Sequence, residues 1–375
     1  MIEGDSFTPI AYSLLFISHI MDTYIHINPL LMTFLSTCLI VYIGCVKSSK
    51  IFTEEQKEEI EAMKQKDAWM FPVTGSAILF GLFIIFKYLN KDYINILFHC
   101  YFTVIGAYSI SALINEKICH YSFFKKYAEK KIFTVPVIPF LVEKETTVFQ
   151  LDIITFCMGS VVGLFYFFLK NWQLNNVLGC SFSIFGIENM LLGEYKIGLI
   201  LLSLLFFYDI FWVFFTEVMV SVAKNLDGPI KLKFPKFLNP IENKDYNMIG
   251  LGDIVVPGVY IALMLRFDIV QFIRKNGSVN NLKMNYQNFK YFFHTFFGYC
   301  LGIIVTLGIM VLFNHAQPAL LYLVPGVLIS STGTSIFKGE FKALWNFNEE
   351  KVQKEEFNKD KKENEENDGN KDKKE

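Results

Sequence analysis

Two aspartates interrupt apolar segments that are each long enough to cross a lipid bilayer. Asp209 lies within the apolar residues 204–215, and Asp253 precedes the apolar residues 254–263. A charged carboxylate at bilayer depth costs roughly 2.5–3.5 kcal/mol on insertion scales, so such a residue normally faces the protein interior or a water-filled cavity. Because the two segments are consecutive, they can pack side by side as antiparallel spans. The spacing therefore predicts that the two carboxyls share one site.

A pair of carboxyls in one site has a definite chemistry. Because like charges repel at close range, the pair holds a single proton and titrates as a unit. The ionised carboxylate can take a proton from water while the protonated carboxyl polarises a peptide carbonyl, as in aspartic proteases. Such acid–base catalysis uses no metal, no cofactor and no acyl-enzyme, and we expect none for this protein.

Small and aromatic residues flank the two aspartates. Gly250 and Gly252 precede Asp253 and lack side chains, so a substrate backbone or a facing helix can approach closely. A plain helix–helix contact is the alternative interpretation of these glycines. Tyr208 adjoins Asp209 and could donate a hydrogen bond near the carboxyl pair, although simple packing is equally compatible with its position.

A proline motif begins the last apolar segment. Pro318 opens this segment and Pro325 interrupts it, and proline both removes a backbone donor and clashes with the preceding turn. We therefore expect residues 314–320 to be non-helical, which is tolerated at membrane depth only inside protein or beside a water-filled cavity. Free backbone groups there could pair with an extended substrate. A proline that simply starts a helix is the alternative.

The composition is that of a polytopic membrane protein. Of the 375 residues, 53% are hydrophobic and 40 are phenylalanine, and the mean hydropathy is +0.35. These values predict an all-α fold with several membrane spans. We count nine transmembrane helices, at about 29–46, 69–89, 93–114, 148–169, 176–193, 196–220, 248–270, 290–313 and 317–337.

The basic residues predict the orientation of the spans. Lys and Arg are about twice as frequent in the loops that are cytosolic when the N-terminus is lumenal. With nine spans, the C-terminus is then cytosolic. The predicted organisation is a lumenal segment at 1–28, transmembrane helices one to five at 29–193, catalytic helices six to nine at 194–340, and a charged disordered tail at 341–375.

Two short sequence signals bear on the compartment. The chain ends with Lys371 and Lys373 at the fifth and third positions from its end, as in a dilysine retrieval signal of the endoplasmic reticulum. A lysine-rich tail can also produce this spacing by chance. Asn276 begins a glycosylation sequon, which lies on the cytosolic side in the predicted orientation and should be unused.

The cysteines do not indicate a metal site. None of the seven forms a Cys-x-x-Cys motif, and no His/Cys spacing suits zinc. They lie mostly in apolar runs, where we expect them to pack as small hydrophobic residues.

Three motifs occur in order on the sixth, seventh and ninth predicted spans. They are the apolar segment around Asp209, the Gly-x-Gly-Asp sequence at residues 250–253 (GxGD) and the proline motif that begins at Pro318. In this order they resemble the presenilin-type GxGD intramembrane aspartyl proteases, and within that class the signal peptide peptidases. The loop between the aspartate-bearing spans is short, unlike that of presenilins. The matching stretches are residues 208–214, 220–224, 229–235, 250–258, 263–268 and 315–325.

The resemblance implies a function and a set of site residues. It implies catalysis by Asp209 and Asp253, cleaving transmembrane helices with a cytosolic N-terminus, including signal peptide remnants, in the endoplasmic reticulum membrane. The expected partners are therefore such peptides and the lipid bilayer, with no nucleic acid; the chain could also form a homo-oligomer. The expected substrate-binding residues are Tyr208, Gly250, Leu251, Gly252, Pro318, Ala319 and Leu320.

Two other classes of protein also use intramembrane aspartates or cavities. A secondary transporter or proton relay is one alternative, but transporters usually show internal repeats and paired broken helices, and the sequence shows no repeat. A membrane chaperone that holds degradation clients is the other, and it would not need both carboxyls.

Overall fold

The chain folds into a bundle of helices with two short β-hairpins. The computed structural model describes residues 7–24, 27–52, 62–119, 122–135, 146–236, 245–276, 284–313 and 317–352. The helices are α1 (Phe7–Tyr24), α2 (Pro29–Ser48), α3 (Gln65–Tyr88), α4 (Lys91–Ile118), α5 (Ser122–Glu129), α6 (Gln150–Leu169), α7 (Trp172–Asn189), α8 (Tyr195–Phe214), α9 (Val218–Asn225), α10 (Gly252–Asn276), α11 (Lys290–Phe313), α12 (Leu320–Phe337) and α13 (Phe341–Trp345), with a 3-10 helix at Ser49–Phe52. The strands are β1 (Lys131–Val135), β2 (Thr146–Phe149), β3 (Lys231–Pro235) and β4 (Tyr246–Gly250).

Seven of these helices are long and apolar enough to cross a membrane, namely α2, α3, α4, α6, α8, α11 and α12. The predicted fifth and seventh spans correspond to α7 and α10, which are helical but are not among the seven. Both pack against α2 and against each other inside the bundle. A helix enclosed by other helices meets protein rather than lipid, so it can carry polar side chains. The polytopic helical fold is confirmed, and the count of nine spans stays a prediction.

α10 forms the centre of the bundle. Every residue from Pro257 to Val270 is buried, and the helix contacts α2, α7, α8, α11 and α12. The approach of α7 depends on Gly258, because a Cβ there would lie only 2.5 Å from Cδ1 of Ile187. Lipid tails are as apolar as these side chains, so close packing of this kind, rather than exclusion from water, holds the helices together.

Charged residues of α10 are buried in protein and paired there. Arg266 is fully buried, and its Nε donates a hydrogen bond to Oε1 of Glu349 at 2.6 Å. Asp268 lies near Arg266 in sequence, but it is buried and its Oδ2 accepts a hydrogen bond from the amide of Phe292 at 2.9 Å. The first amides of a helix lack intrahelical partners, so Asp268 stabilises the start of α11.

The C-terminal segment is ordered further than the predicted tail allows. We expected a disordered tail from residue 341, whereas α13 begins at that residue and the chain is packed as far as Val352. The amide of Glu349 donates to the carbonyl of Gly193 at 2.7 Å, and Asn348 forms a β-bridge with Glu194. Apolar side chains and one buried carboxylate hold this segment, so its charge content misled the prediction.

Three sequence predictions concern residues outside the described ranges. They are the dilysine match at Lys371 and Lys373, the glycosylation sequon after Asn276, and the backbone of residues 314–316 before the proline motif.

Candidate active site

Asp253 lies where a β-hairpin passes into the central helix. β3 and β4 are antiparallel, with Lys231 opposite Gly250, and β4 ends at Gly250 just before α10 starts at Gly252. Asp253 therefore occupies the first turn of α10, where the helix dipole favours a carboxylate. The sequence predicted a span from about residue 248 and gave no sign of this strand.

The two glycines of the motif have different surroundings. A Cβ on Gly250 would lie 3.3 Å from Oδ2 of Asp253, and the Gly250 amide hydrogen-bonds to that carboxyl. Gly252 is exposed, and a Cβ there would meet no atom within 4 Å. Gly250 thus lets the carboxyl fold back against the preceding strand, while Gly252 leaves open space beside it.

α8 carries Asp209 to the same place. α8 packs against α10 and α12, and Asp209 is only 4% exposed. Its Oδ2 accepts a hydrogen bond from the amide of Leu320 at 3.0 Å, and its carboxyl is close enough to that of Asp253 for the two groups to interact electrostatically. The structure therefore brings together both aspartates, the glycine motif and the start of α12.

The proline motif forms the start of α12 rather than an open strand edge. Residues 317 and 318 have no regular secondary structure, but the carbonyls of Pro318 and Ala319 accept hydrogen bonds from the first turn of α12 at 3.1–3.3 Å. The idea that these carbonyls pair with substrate is therefore not supported by their geometry. Because a helix N-terminus leaves amides free, the motif instead supplies the Leu320 amide to Asp209.

Two of the predicted substrate-binding residues face other helices. The Tyr208 hydroxyl packs against α3, 3.7 Å from where a Cβ on Gly75 would lie. The Tyr208 ring packs against Trp212. Leu251 lies against α7, with Cδ2 3.4 Å from the position of a Cβ on Gly179. Within the described part of the chain, the Tyr208 hydroxyl does not hydrogen-bond to either aspartate, and the aliphatic Leu251 side chain contacts α7, so the geometry of both residues indicates packing.

One edge of the hairpin is closed by side chains of α7. The Asn176 amide donates to the carbonyl of Lys233 and accepts from its amide, both at 2.8 Å. Asn175 donates to the carbonyl of Lys231, also at 2.8 Å. These contacts occupy the Lys231 carbonyl and both backbone groups of Lys233, which point away from β4.

The other edge of the hairpin is open among the described residues. The amide of Leu251 bonds to the carbonyl of Ile230 at 2.9 Å. This bond shows which residues of β3 and β4 form the hydrogen-bonded pairs of the hairpin. In an antiparallel pair, bonded and non-bonded positions alternate, so Tyr246, Met248 and Gly250 direct their backbone groups away from β3. No described strand pairs with this edge, and the strand leads directly to Asp253.

An ion pair fastens the loop before β3. Asp227 contacts Nζ of Lys233 at 2.8 Å, and Nε2 of His99 from α4 lies 3.8 Å from its other carboxylate oxygen. Burial opposes ionisation of Asp227, but Lys233, with smaller contributions from His99 and Lys231, outweighs it and lowers the pKa of Asp227 below its ordinary value. The loop is therefore held to both α4 and β3.

Sequence reasoning missed the residues that shape the hairpin. Asn175 and Asn176 stand at the edge of the predicted fifth span, where polar residues usually mark a membrane boundary. Two adjacent amide side chains were the available signal, but their partners are backbone groups 56 and 57 residues away in the chain. Pattern alone does not reveal such partners.

Comparison with known proteins identifies the family. The signal peptide peptidase family model matches residues 55–351. The chain is 36% identical over 323 residues to the signal peptide peptidase of Mus musculus, covering 84% of this chain and 82% of that protein, and it matches the Homo sapiens protein with the same identity and coverage. It is 34% identical over 316 residues to a probable intramembrane protease of Schizosaccharomyces pombe, covering 84% of this chain and 92% of that protein.

The match extends well beyond the aspartate motifs and includes the hairpin, the central helix and the packed C-terminal segment. The resemblance that the motifs suggested is therefore confirmed over most of the chain. This protein belongs to the signal peptide peptidase family of intramembrane aspartic proteases.

Proposed function

We propose that Asp209 and Asp253 are the catalytic pair, and that the enzyme cleaves transmembrane helices, including signal peptide remnants, in the endoplasmic reticulum membrane. The observation that carries this proposal is the hydrogen bond from the Leu320 amide to Asp209, because it ties the start of α12 to the carboxyl that interacts with Asp253. Neither a transporter nor a chaperone explains a carboxyl pair beside an open strand edge as directly.

The chemistry follows from a pair that shares one proton. The ionised carboxylate takes a proton from water as the water oxygen attacks the peptide carbonyl, and the other carboxyl gives its proton to the carbonyl oxygen. The resulting gem-diol collapses when the newly protonated carboxyl gives its proton to the leaving nitrogen, the C–N bond breaks, and the other carboxylate takes the proton of one gem-diol hydroxyl. The pair returns to its starting state with one proton, so no metal or covalent intermediate is required.

A helical substrate hides its peptide bonds, so it must become extended near the carboxyls. The open edge of β4 offers backbone donors and acceptors at Tyr246 and Met248 and the carbonyl of Gly250, whose amide is bound to Asp253. Strand addition at this edge would hold the substrate extended and lead it past Asp253. The edge of β4 thus takes the role that the sequence assigned to the proline motif.

The orientation and compartment are also part of the proposal. The charge bias of the loops supports a lumenal N-terminus and a cytosolic C-terminus. The resemblance to the signal peptide peptidases supports substrates with a cytosolic N-terminus. The mouse and human relatives carry the name signal peptide peptidase, which supports signal peptides as one substrate class.

Two single substitutions test the catalytic pair. The purified protein in detergent is mixed with a labelled transmembrane peptide, and wild type is compared with Asp209→Ala and Asp253→Ala. Each substitution alone should abolish cleavage, whereas Glu217→Ala, which removes an exposed acid beyond the end of α8, should not. A hydroxyl-containing transition-state mimic should inhibit the wild type. Normal cleavage by either aspartate variant would refute the assignment.

A set of modified substrates tests strand addition separately. A single N-methyl group is placed on successive backbone nitrogens around the scissile bond. Because alternate amides of a strand face the same neighbour, N-methylation should block cleavage at every second position and be tolerated between them. A smooth dependence on position, without this alternation, would contradict pairing with β4 while leaving the catalytic pair untouched.

A further inference from the structure

Asn176 satisfies a strand edge in the way that another strand would. Its side-chain amide both donates to and accepts from Lys233, and it is fully buried. A carboxamide carries the same donor and acceptor as a peptide group. α7 therefore ends the sheet on the β3 side, and Asn175 adds one further bond at Lys231.

The same helix also contacts the catalytic helix. Beyond Asn176 along α7, a Cβ on Gly186 would lie 3.3 Å from Cγ1 of Val255, which is two residues after Asp253. α7 thus touches both the hairpin and the first turns of α10. The position of β4 relative to Asp253 depends on how firmly the hairpin is held to this helix.

If a substrate strand pairs with β4, the register of that pairing determines which substrate bond meets the carboxyls. Lys233 lies opposite Met248, whose backbone groups face the open edge. A strand that slips by one residue presents its other face, so the smallest slip that preserves side-chain directions is two residues, or about 6.6 Å. A looser hairpin would therefore shift a substrate strand by steps of two residues.

We propose that Asn176, assisted by Asn175, is a positioning residue that sets the cleavage site by fixing the height of the β3–β4 hairpin against α7. It touches neither substrate nor the reacting atoms and acts through β3. This inference rests on the proposed function, since it assumes that the substrate pairs with β4 and is cut by Asp209 and Asp253.

The test compares the products made by variants of α7. Asn176→Leu removes both bonds to Lys233. Asn176→Asp keeps only the bond that the side chain accepts from the backbone amide of Lys233. Asn189→Ala is the control, because this exposed asparagine at the far end of α7 bonds, among the described residues, to a carbonyl within the same helix. Both fragments of a labelled transmembrane peptide are weighed by mass spectrometry for each full-length protein.

We expect Asn176→Leu to reduce the share of cleavage at the wild-type bond by about threefold or more, with new products offset by two residues. Asn176→Asp should shift products in the same direction to a smaller extent, and the control should leave them unchanged. A lower rate with an unchanged set of products would overturn the inference and leave Asn176 a merely structural residue.

Failure of folding does not remove the test. If Asn176→Leu does not fold, unchanged products from the milder Asn176→Asp would by themselves overturn the inference. Cleavage that persists in Asp253→Ala would refute the proposed function instead. If cleavage requires both aspartates but the cleavage site does not move in the Asn176 variants, only the role of Asn176 is refuted.

Discussion

The ion pair between α10 and the C-terminal segment makes a quantitative prediction. Arg266 is fully buried and Glu349 is 2% exposed, and the Nε–Oε1 distance of 2.6 Å is that of a charge-assisted hydrogen bond. Among the described residues, Nη1 and Nη2 of Arg266 have no hydrogen-bond partner. Glu349→Leu would therefore leave a buried cation without its compensating charge, which costs about 3–5 kcal/mol.

Thermal unfolding in mild detergent measures this loss. At about 2 °C per kcal/mol for a chain of this size, the midpoint should fall by roughly 6–10 °C. The buried thiols of Cys45 and Cys180 provide the signal, because a thiol-reactive fluorophore labels them only after unfolding. A decrease of less than about 2 °C would show that the pair does not carry this energy.

Two matched variants separate the ion pair from general damage. Replacing both partners, by Arg266→Met with Glu349→Leu, removes the stranded charge and should recover most of the lost stability. A chain that ends after residue 352 should melt like the full-length protein, whereas one that ends after residue 346 should resemble Glu349→Leu. Equal melting of the two truncated chains would contradict the packing of residues 347–352.

Two further predictions concern the helix packing. The Sγ atoms of Cys38 in α2 and Cys300 in α11 lie 3.4 Å apart, so a membrane-permeant thiol oxidant such as diamide should convert the two thiols to a disulfide, and Cys38→Ser should prevent the link. Absence of that bond in peptide mapping would place α2 and α11 differently. A Cβ on Gly298 would clash with the carbonyl oxygen of Gly326, so Gly298→Val should reduce the free energy of unfolding by about 1–3 kcal/mol. Gly333→Ala, with open space around it, is the control, and equal melting of the two variants would contradict the α11–α12 contact.

The sequence predicted those features whose energetic cost is visible in the chain itself. Asp209 and Asp253 stood out because a carboxylate in an apolar run is energetically costly, and such residues usually have a function. The helical, membrane-spanning architecture followed from the same apolar runs and is confirmed. Asp268 was harder, because its partner is the backbone amide at the start of α11, which no side-chain pattern records.

The hairpin before Asp253 shows where prediction from pattern stops. The alternation in Lys231-Leu232-Lys233-Phe234 is typical of a strand, but five residues beside a membrane span are equally compatible with a loop. A lone hairpin is marginal in water, so its stability depends on what covers it. Here Asn175 and Asn176 of α7 cover one edge of the hairpin. The helix α7 ends at Asn189 and β3 starts at Lys231, so the two elements are distant in the sequence.

The two edges of that hairpin have different consequences for the enzyme. An exposed strand edge invites pairing with other chains, and proteins usually block such edges. In this protein α7 blocks β3 with amide side chains, while no strand in the described part of the chain covers β4, which ends just before Asp253. A protease that cuts helices needs one place where an extended chain is stabilised, and it needs that place at a fixed distance from its carboxyls. Blocking one edge and leaving the other open would meet both needs, because a substrate strand that adds to this hairpin would then lie on the β4 side, which leads to Asp253.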